Sequence, residues 1–187
     1  MARRPPAVPT APARSLKARA IQWLAQREHS RTELRRKLLR HAADECADVA
    51  DGADVDNGDA ENGVDARLDS LLDWLEANHY LSQQRFVESR VHARSARFGN
   101  LRIRQELAQH QLGLPADVES ALRDTELERA RTVWAARFGG RPASVAERGK
   151  QARFLAGRGF SGDVIQRVLR EAGATQAGET APGLDAD

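Results

Sequence analysis

The residues of this chain whose type and spacing point most clearly to chemistry are cations. Clustered Lys and Arg attract polyanions, so nucleic acid or a nucleoprotein surface is the natural partner. The candidates are Arg27, Arg31, Arg35, Arg36, Lys37 and Arg40 in the first third of the chain, Arg90, Arg94, Arg97, Arg102 and Arg104 in the second, and Arg148, Lys150, Arg153 and Arg158 in the last. For any one of them, a solvated surface position is the competing explanation.

Two of these groups have a particular placement. Arg36, Lys37 and Arg40 occupy adjacent positions on a predicted helix whose Leu34 and Leu38 face inward, so we expect the three charges to project outward together. Arg158 lies between two glycines, a position that allows close approach to a partner, although the glycines are also explained by a turn alone.

Catalytic and metal-binding chemistry has no comparable signal. Gly149 and Lys150 are followed by Gln151, where a phosphate-binding loop requires Ser or Thr. The five histidines are scattered, and neither HExxH nor CxxC spacing occurs. Ser30 is better explained as a helix cap than as a nucleophile, and the single Cys46 cannot close an intrachain disulfide. We therefore predict no catalytic residue, no metal site and no cofactor.

The charge pattern indicates which segments are ordered enough to position the cations. The 187 residues carry a net charge of +2, but residues 44–65 contribute −9 and contain no Lys or Arg. Residues 14–41 and 66–172 together carry +12. With few large aliphatic side chains, the acidic segment predicts a disordered loop over 42–63. We also predict a disordered basic arm over 1–13 and a disordered tail over 174–187.

Apolar spacing in the remaining chain is helical throughout, which predicts an all-α fold. Ser30 with Glu33, Thr125 with Glu128 and Ser144 with Glu147 have the spacing of capping boxes at helix starts. Nine helices are predicted, over 16–28, 30–41, 65–78, 83–98, 101–111, 115–123, 126–138, 144–156 and 162–172. No stretch has the ~18 consecutive apolar residues of a membrane span, and no secretory signal is visible, so the cytoplasm is the expected compartment.

The predicted helices form a repeat of three. The last helix of each group carries the same apolar triad: Leu68, Leu71 and Leu72; Val118, Ala121 and Leu122; Ile165, Val168 and Leu169. The predicted three-helix units are 16–81 with the acidic loop 42–63 inserted, 82–124 and 125–173. Since ~45 residues bury too small a core to be stable alone, we expect the units to stack within one domain, 14–173, into an elongated, curved molecule.

Four stretches in register with this repeat are similar to the RecX family, the bacterial regulators of the RecA recombinase. They are Trp23 to Ser30 with Glu33-Leu34 and Lys37-Leu38, Asn78-His79-Tyr80-Leu81 with Arg85-Phe86, Ile103 to Leu107, and Arg153 to Phe160. The resemblance covers about residues 16–172. The acidic insertion and the long terminal extensions depart from the family's pattern, outside the matched segments.

The resemblance implies a non-enzymatic protein of DNA repair and the SOS response that binds RecA, chiefly as the filament on single-stranded DNA. Such a protein would lie along the filament groove, bridge several subunits, impede ATP hydrolysis, strand exchange and LexA cleavage, and favour filament disassembly. We expect a monomer that binds DNA weakly and without sequence preference. The basic repeat agrees with this function in kind but does not by itself name RecA.

Two other functions are compatible with the residues. One is a helix-turn-helix regulator that reads the major groove with Asn100, Arg102 and Arg104. The other is a structural adaptor of stacked helices. The acidic insertion likewise has two explanations, a screen that competes with nucleic acid for the basic face, or a neutral spacer.

Overall fold

The computed structural model describes residues 15–47 and 57–174, and every regular element within these ranges is an α-helix, which confirms the all-α class. The helices are α1 (Leu16–Gln26), α2 (Arg31–Ala47), α3 (Asn57–Ala77), α4 (Gln83–Ser95), α5 (Asn100–Ala108), α6 (Ala116–Phe138), α7 (Val145–Gly157) and α8 (Gly162–Ala174). They divide between Ser82 and Gln83 into two compact units, one with α1–α3 and one with α4–α8. No helix in the described ranges is long and apolar enough to cross a membrane.

The first unit is a three-helix bundle around an aliphatic core. Leu34 and Leu38 of α2 are fully buried, one helical turn apart, and pack with Leu68, Leu72 and Leu75 of α3. The predicted cap at Ser30 is present, because its Oγ accepts a hydrogen bond from the backbone N–H of Glu33 at 3.1 Å. This cap fixes the start of α2 and hence the direction of its basic face.

The second unit contains two apolar clusters. Phe86, Ile103 and Leu107 are central to the cluster of α4, α5 and the first half of α6. Leu155 and Phe160 are central to the cluster of the second half of α6 with α7 and α8. The predicted cap at Ser144 starts α7, with its Oγ accepting from the N–H of Glu147 at 3.2 Å. Helices α1, α4, α5, α7 and α8 match their predicted ranges to within three residues.

The predicted break between helices 115–123 and 126–138 is wrong. A single helix, α6, continues through this boundary, so the described part of the chain has eight helices instead of nine. Thr125 does not cap a helix, because its Oγ1 donates to the carbonyl of Ala121 at 2.9 Å inside α6. Leu122, Glu126 and Ala130 are buried at four-residue spacing across the boundary, and this shared buried face keeps the helix continuous.

The predicted loop over 42–63 is wrong at both ends. Helix α2 continues to Ala47 and α3 begins at Asn57, so residues 42–47 and 57–63 are helical. Alanine is the strongest helix former, and residues 42–47 contain three alanines and residues 57–63 contain one, which a count of charges does not reveal. The rest of that predicted loop, the predicted arm over 1–13 and the predicted tail beyond Ala174 lie outside the described residues.

Candidate binding surface

Eight of the fifteen predicted binding cations are engaged within the protein itself. Two of them, Arg31 and Arg35 on α2, are held by carboxylates of the neighbouring α3. The guanidinium group of Arg31 lies 2.7 Å from Asp73 and 3.1 Å from Glu76, and that of Arg35 lies 2.9 Å from Asp65. Their charge is therefore largely neutralised inside the first unit.

Arg27 is exposed but pairs with a buried polar group at the start of α2. Its guanidinium group forms an ion pair with Glu33, whose carboxylate also lies 3.3 Å from Nδ1 of the buried His29. Burial lowers the pKa of His29, and the charge on Glu33 only partly opposes this shift. Burial raises the pKa of Glu33, but the hydrogen bond from Arg27 and the positive charges of Arg27 and Lys37 lower it by more, so its pKa lies below the ordinary value.

In the second unit, three more predicted cations form ion pairs between neighbouring helices. Arg90 and Arg94 of α4 lie 3.4 Å and 2.9 Å from the carboxylate of Glu106 on α5. Arg104 of α5 pairs with Glu119 of α6. These side chains hold α4, α5 and α6 together at the surface.

Arg148 and Arg158 donate to backbone carbonyls. Arg148 Nη1 lies 3.2 Å from the carbonyl oxygen of Leu169 near the end of α8. Arg158 Nη1 lies 3.3 Å from the carbonyl oxygen of Arg97, and its guanidinium group lies 4.6 Å from the ring centroid of Phe154. Arg158 remains without a carboxylate partner among the described residues, so its charge is oriented but not neutralised.

The other seven predicted cations form no ion pair with a carboxylate in the described part of the chain. Arg36, Lys37 and Arg40, which we call the α2 cluster, lie on the outward face of α2, with Lys37 Nζ 5.4 Å from the ring of Trp23. The remaining four are exposed on the second unit: Arg97, Arg102, Lys150 and Arg153.

Two turns of the second unit bring Arg97, Arg102 and Arg158 together. The N–H of Gly99, in the α4–α5 turn, donates to the carbonyl of Arg158 in the α7–α8 turn at 2.9 Å, and the N–H of Leu101 donates to the carbonyl of Gly159 at 3.1 Å. We call these paired turns, with the side chains of Glu126 and Arg129 that bond to them, the clasp. Arg97, Arg102 and Arg158 are the clasp cluster.

The clasp requires glycine at both contact points. A Cβ atom on Gly99 would lie 2.2 Å from the carbonyl oxygen of Gly159, and one on Gly159 would lie 2.5 Å from the backbone nitrogen of Arg102. Gly159 also has a φ of +82°, in the left-handed region that other residues rarely adopt. Of the two glycines beside Arg158, Gly159 therefore permits the close approach of α5 within the protein itself.

A buried carboxylate joins the clasp to α6. Oε1 of Glu126 accepts from the N–H of Asn100 at 3.1 Å and from the N–H of Ser161 at 3.4 Å, and Oε2 accepts from the hydroxyl of Ser161 at 3.3 Å. Asn100 begins α5 and Ser161 immediately precedes α8. One carboxylate therefore satisfies amides at the N-termini of two helices, where negative charge is also favoured by the helix dipoles.

The second side chain that supports the clasp is the half-buried Arg129, one turn along α6. It donates to the carbonyls of Ser95 at 3.0 Å and Phe98 at 2.8 Å, and to Oδ1 of Asn100 at 2.6 Å. Burial lowers the pKa of Arg129, and the nearby charge of Glu126 opposes the shift. The sequence does not predict a role for Glu126 and Arg129, which position the clasp cluster, because the spacing at Thr125 indicates the start of a new helix. Their signal is a Glu-x-x-Arg spacing between the buried Leu122 and Ala130.

The clasp thus presents three guanidinium groups, from the α4–α5 turn, the start of α5 and the α7–α8 turn, on one hydrogen-bonded support. Guanidinium groups form paired hydrogen bonds with phosphate oxygens, and the described neighbours offer no carboxylate that would compete. Phosphate binding is the chemistry that this arrangement favours.

Comparison with known proteins decides the family. The chain is 46% identical over 162 residues to the Regulatory protein RecX of Ralstonia nicotianae, covering 86% of this chain and 89% of that protein. It is 47% identical over 163 residues to the Regulatory protein RecX of Leptothrix cholodnii, covering 85% and 90%. The chain belongs to the RecX family. The family model for the third three-helix domain of RecX matches residues 124–169.

The fold of RecX is also present in a solved structure of low sequence identity. The crystal structure of RecX from Lactobacillus salivarius superposes with a TM-score of 0.57 at 16% identity, covering 84% of this chain and 94% of that chain. The likeness therefore lies in the helical architecture.

Two RecX-like stretches have clear structural roles in this chain. His79 has a φ of +60°, and Leu81 donates its N–H to the carbonyl of Leu75 at 3.1 Å, so this stretch ends α3. The ring of Tyr80 stacks on Trp74 with centroids 5.6 Å apart. The stretch that ends at Phe160 places the phenyl ring of this residue in the core, where it is 2% exposed. The same stretch contains the α7–α8 turn of the clasp. These stretches therefore form part of the scaffold that positions the surface cations.

Proposed function

We propose that this RecX-family protein binds RecA and its filament on single-stranded DNA, and that it inhibits the recombinase, ATPase and coprotease activities of RecA without catalysing a reaction. It acts in the cytoplasm as a monomer and has a weak, sequence-independent affinity for DNA. The observation that carries the proposal, beside the family, is the clasp cluster, whose three cations have no carboxylate partner among the described residues.

The binding mode follows from the position of the free cations. Arginines at the surface contact phosphates along an extended polyanion, and such contacts release counterions and make affinity depend steeply on salt. The α2 cluster and the clasp cluster supply these contacts from different units of the chain. The ion-paired cations of α2 and α4 contribute less because a carboxylate already occupies them.

Two details weigh against the alternatives. Asn100, a proposed base-reading residue of a helix-turn-helix, is only 6% exposed and its side chain accepts from Arg129. Arg104, another such residue, pairs with Glu119. A purely structural adaptor would leave the unpaired cations of the clasp cluster without a use.

The test is the ATPase activity of RecA on single-stranded DNA, measured with and without this protein. We expect substoichiometric protein to lower the rate, because in the proposed binding mode each molecule would engage several filament subunits. An unchanged rate at saturating protein and low salt would reject the proposal.

A further inference from the structure

A groove between α4 and α6 is apolar with an acidic rim, whereas the clasp cluster is cationic. It is open to solvent and has a volume of about 830 Å³, within the size range of ligand-binding clefts. Its lining includes Val91 and Ala96 from α4, and Val118, Ala121 and Thr125 from α6. The groove lies wholly inside the second unit and has no role in the phosphate contacts proposed above.

The apolar triads of the repeat explain why this groove is open. At the middle position of the triad, Val168 in α8 is 2% exposed and Leu71 in α3 packs against the core of the first unit. The same position in α6 is Ala121, which is exposed and lines the groove. Replacing a branched side chain with a methyl group removes the atoms that would fill the space, so apolar surface stays accessible.

The rim of the groove is acidic although the helical body as a whole is basic. Glu88 of α4 and Asp117 of α6 are exposed on the rim, and no cation among the described residues pairs with either. Glu128, also on the rim, shares Arg131 with Glu171. Arg129 reaches the groove, but its guanidinium group is committed to carbonyls of the clasp. Such a rim repels phosphate and attracts Lys or Arg.

We propose that the α4–α6 groove docks a cationic segment of the protein partner, with an aliphatic side chain of that segment filling the space beside Ala121. The inference rests on the proposed function in taking this partner to be a RecA subunit of the filament. Protein contact and phosphate contact are thereby assigned to different surfaces of the second unit. The groove receives the protein segment, and the clasp cluster receives the phosphates of DNA.

The sharpest test fills the groove without changing charge. In Ala121→Leu, the added side chain occupies the space that the partner's aliphatic group requires. The matched control is Ala93→Leu, an exposed alanine of α4 that does not line the groove. Both variants are titrated against labelled single-stranded DNA, alone and coated with RecA, and their melting temperatures are compared with the parent.

We expect Ala121→Leu to bind the RecA filament at least ~10-fold more weakly, equivalent to about 1.4 kcal/mol, and bare DNA with unchanged affinity. Ala93→Leu should match the parent in both titrations. The melting temperature of Ala121→Leu should equal or exceed that of the parent, because the other triads already place larger side chains at this position.

A second variant, Glu88→Gln with Asp117→Asn, tests the charge of the rim. Removing two carboxylates should weaken binding to the filament and strengthen binding to bare DNA. Both groups are exposed, so the fold should be retained even if Ala121→Leu is poorly folded.

Parent-like filament binding by folded Ala121→Leu, or by the charge variant, would overturn the docking proposal. A dimer of the parent that Ala121→Leu dissociates would assign the groove to a second copy and also overturn it. Failure of the parent to bind the filament would instead reject the proposed function, so the two failures are distinguishable.

Discussion

Two arginine pairs of similar spacing have opposite surroundings in this protein. Arg31 and Arg35 on α2 face a row of carboxylates on α3, at 2.7 Å for the Arg31 to Asp73 contact. Arg97 in the α4–α5 turn and Arg102 in the first turn of α5 have no carboxylate partner in the described ranges. Residue type and local spacing do not separate the two pairs. The neighbouring helix decides whether a cation is neutralised inside the fold or remains available to a partner.

The supports beneath the two pairs differ as well. Arg31 and Arg35 lie on a helix that is held by the aliphatic packing of Leu34 and Leu38. Arg97 and Arg102 lie in the segment supported by the buried Glu126 and the half-buried Arg129, whose side chains bond to specific backbone groups. Directional bonds fix the spacing of cations more closely than apolar packing does. The clasp cluster is therefore the better-defined site.

The largest effect should follow from removing the carboxylate at the centre of the clasp. Glu126→Ala leaves the amides of Asn100 and Ser161 without their acceptor and Arg129 without its counter-charge. Breaking a buried charged group in this way costs about 3–5 kcal/mol of unfolding free energy. Urea unfolding measures the loss. The control is Glu128→Ala, an exposed residue of the same helix, which should cost under about 1 kcal/mol. Equal losses would contradict the role of Glu126.

A smaller effect should follow from adding one methyl group to the turn. Gly159→Ala forces a side chain into left-handed backbone at a cost of about 1–3 kcal/mol and pushes it against Arg102. Gly157→Ala, two residues earlier in α7, meets no atom within 4 Å and should stabilise the protein by about 0.5–1 kcal/mol. Thermal unfolding of both variants should therefore shift in opposite directions. Shifts of the same sign would show that the close approach at Gly159 is dispensable.

The comparison of the two arginine pairs can be sharpened by neutralising each in turn. Arg97→Gln with Arg102→Gln should lower the slope of log affinity for single-stranded DNA against log salt by about 1.4, since each lost phosphate contact contributes ~0.7. Arg31→Gln with Arg35→Gln removes the same formal charge but should change the slope much less. Fluorescence anisotropy over a salt series gives both slopes. Similar reductions would mean that net charge, and not the clasp, governs binding.

The smallest expected effect is a loss of folding stability at acidic pH, and it should arise in the first unit, which contains His29. Burial lowers the pKa of His29 from its ordinary value of about 6.5, so the folded protein holds this side chain neutral. The unfolded chain binds a proton more readily, so the resulting stability is full above pH ~6.5 and is lost as pH falls below it. Thermal unfolding at pH 7.5 and 5.5 should show this loss, and His29→Gln should reduce it. An unchanged pH dependence in the variant would contradict the assignment.

The sequence predicted much of the fold but not where α6 passes from one repeat to the next. Ser30 and Ser144 were interpreted correctly as caps, because an apolar helical stripe begins directly after each. Thr125 has the same spacing to an acidic residue, yet it lies inside α6. Capping boxes and helix interiors share the same residue types, and only the burial of Glu126 on the shared face distinguishes them.

The sequence predicts which cations belong to the candidate site, but it does not predict which of them lie together or form ion pairs. All fifteen cations came from helix position and clustering alone, and eight of them turned out to be engaged within the protein. Ion pairs such as Arg90 with Glu106 depend on how α4 packs beside α5, which a single sequence does not specify. The convergence of Arg97 with Arg158, 61 residues apart in sequence, depends on two turns meeting through glycine. The stacking of the units and the binding roles of the cations remain predictions.

The continuity of α6 has a consequence for how this chain unfolds. A helix of 23 residues is about 35 Å long, and its two halves belong to two different apolar clusters. Unfolding one half of α6 should destabilise the other half and thereby the apolar cluster packed against it. Helices α4–α8 should therefore open as one cooperative foldon. Amide exchange of α5 and of α8 should then report a common opening free energy. The sequence repeats in separate units, but the second and third of them should unfold together. A truncation at residue 124 would cut α6, the helix that couples them.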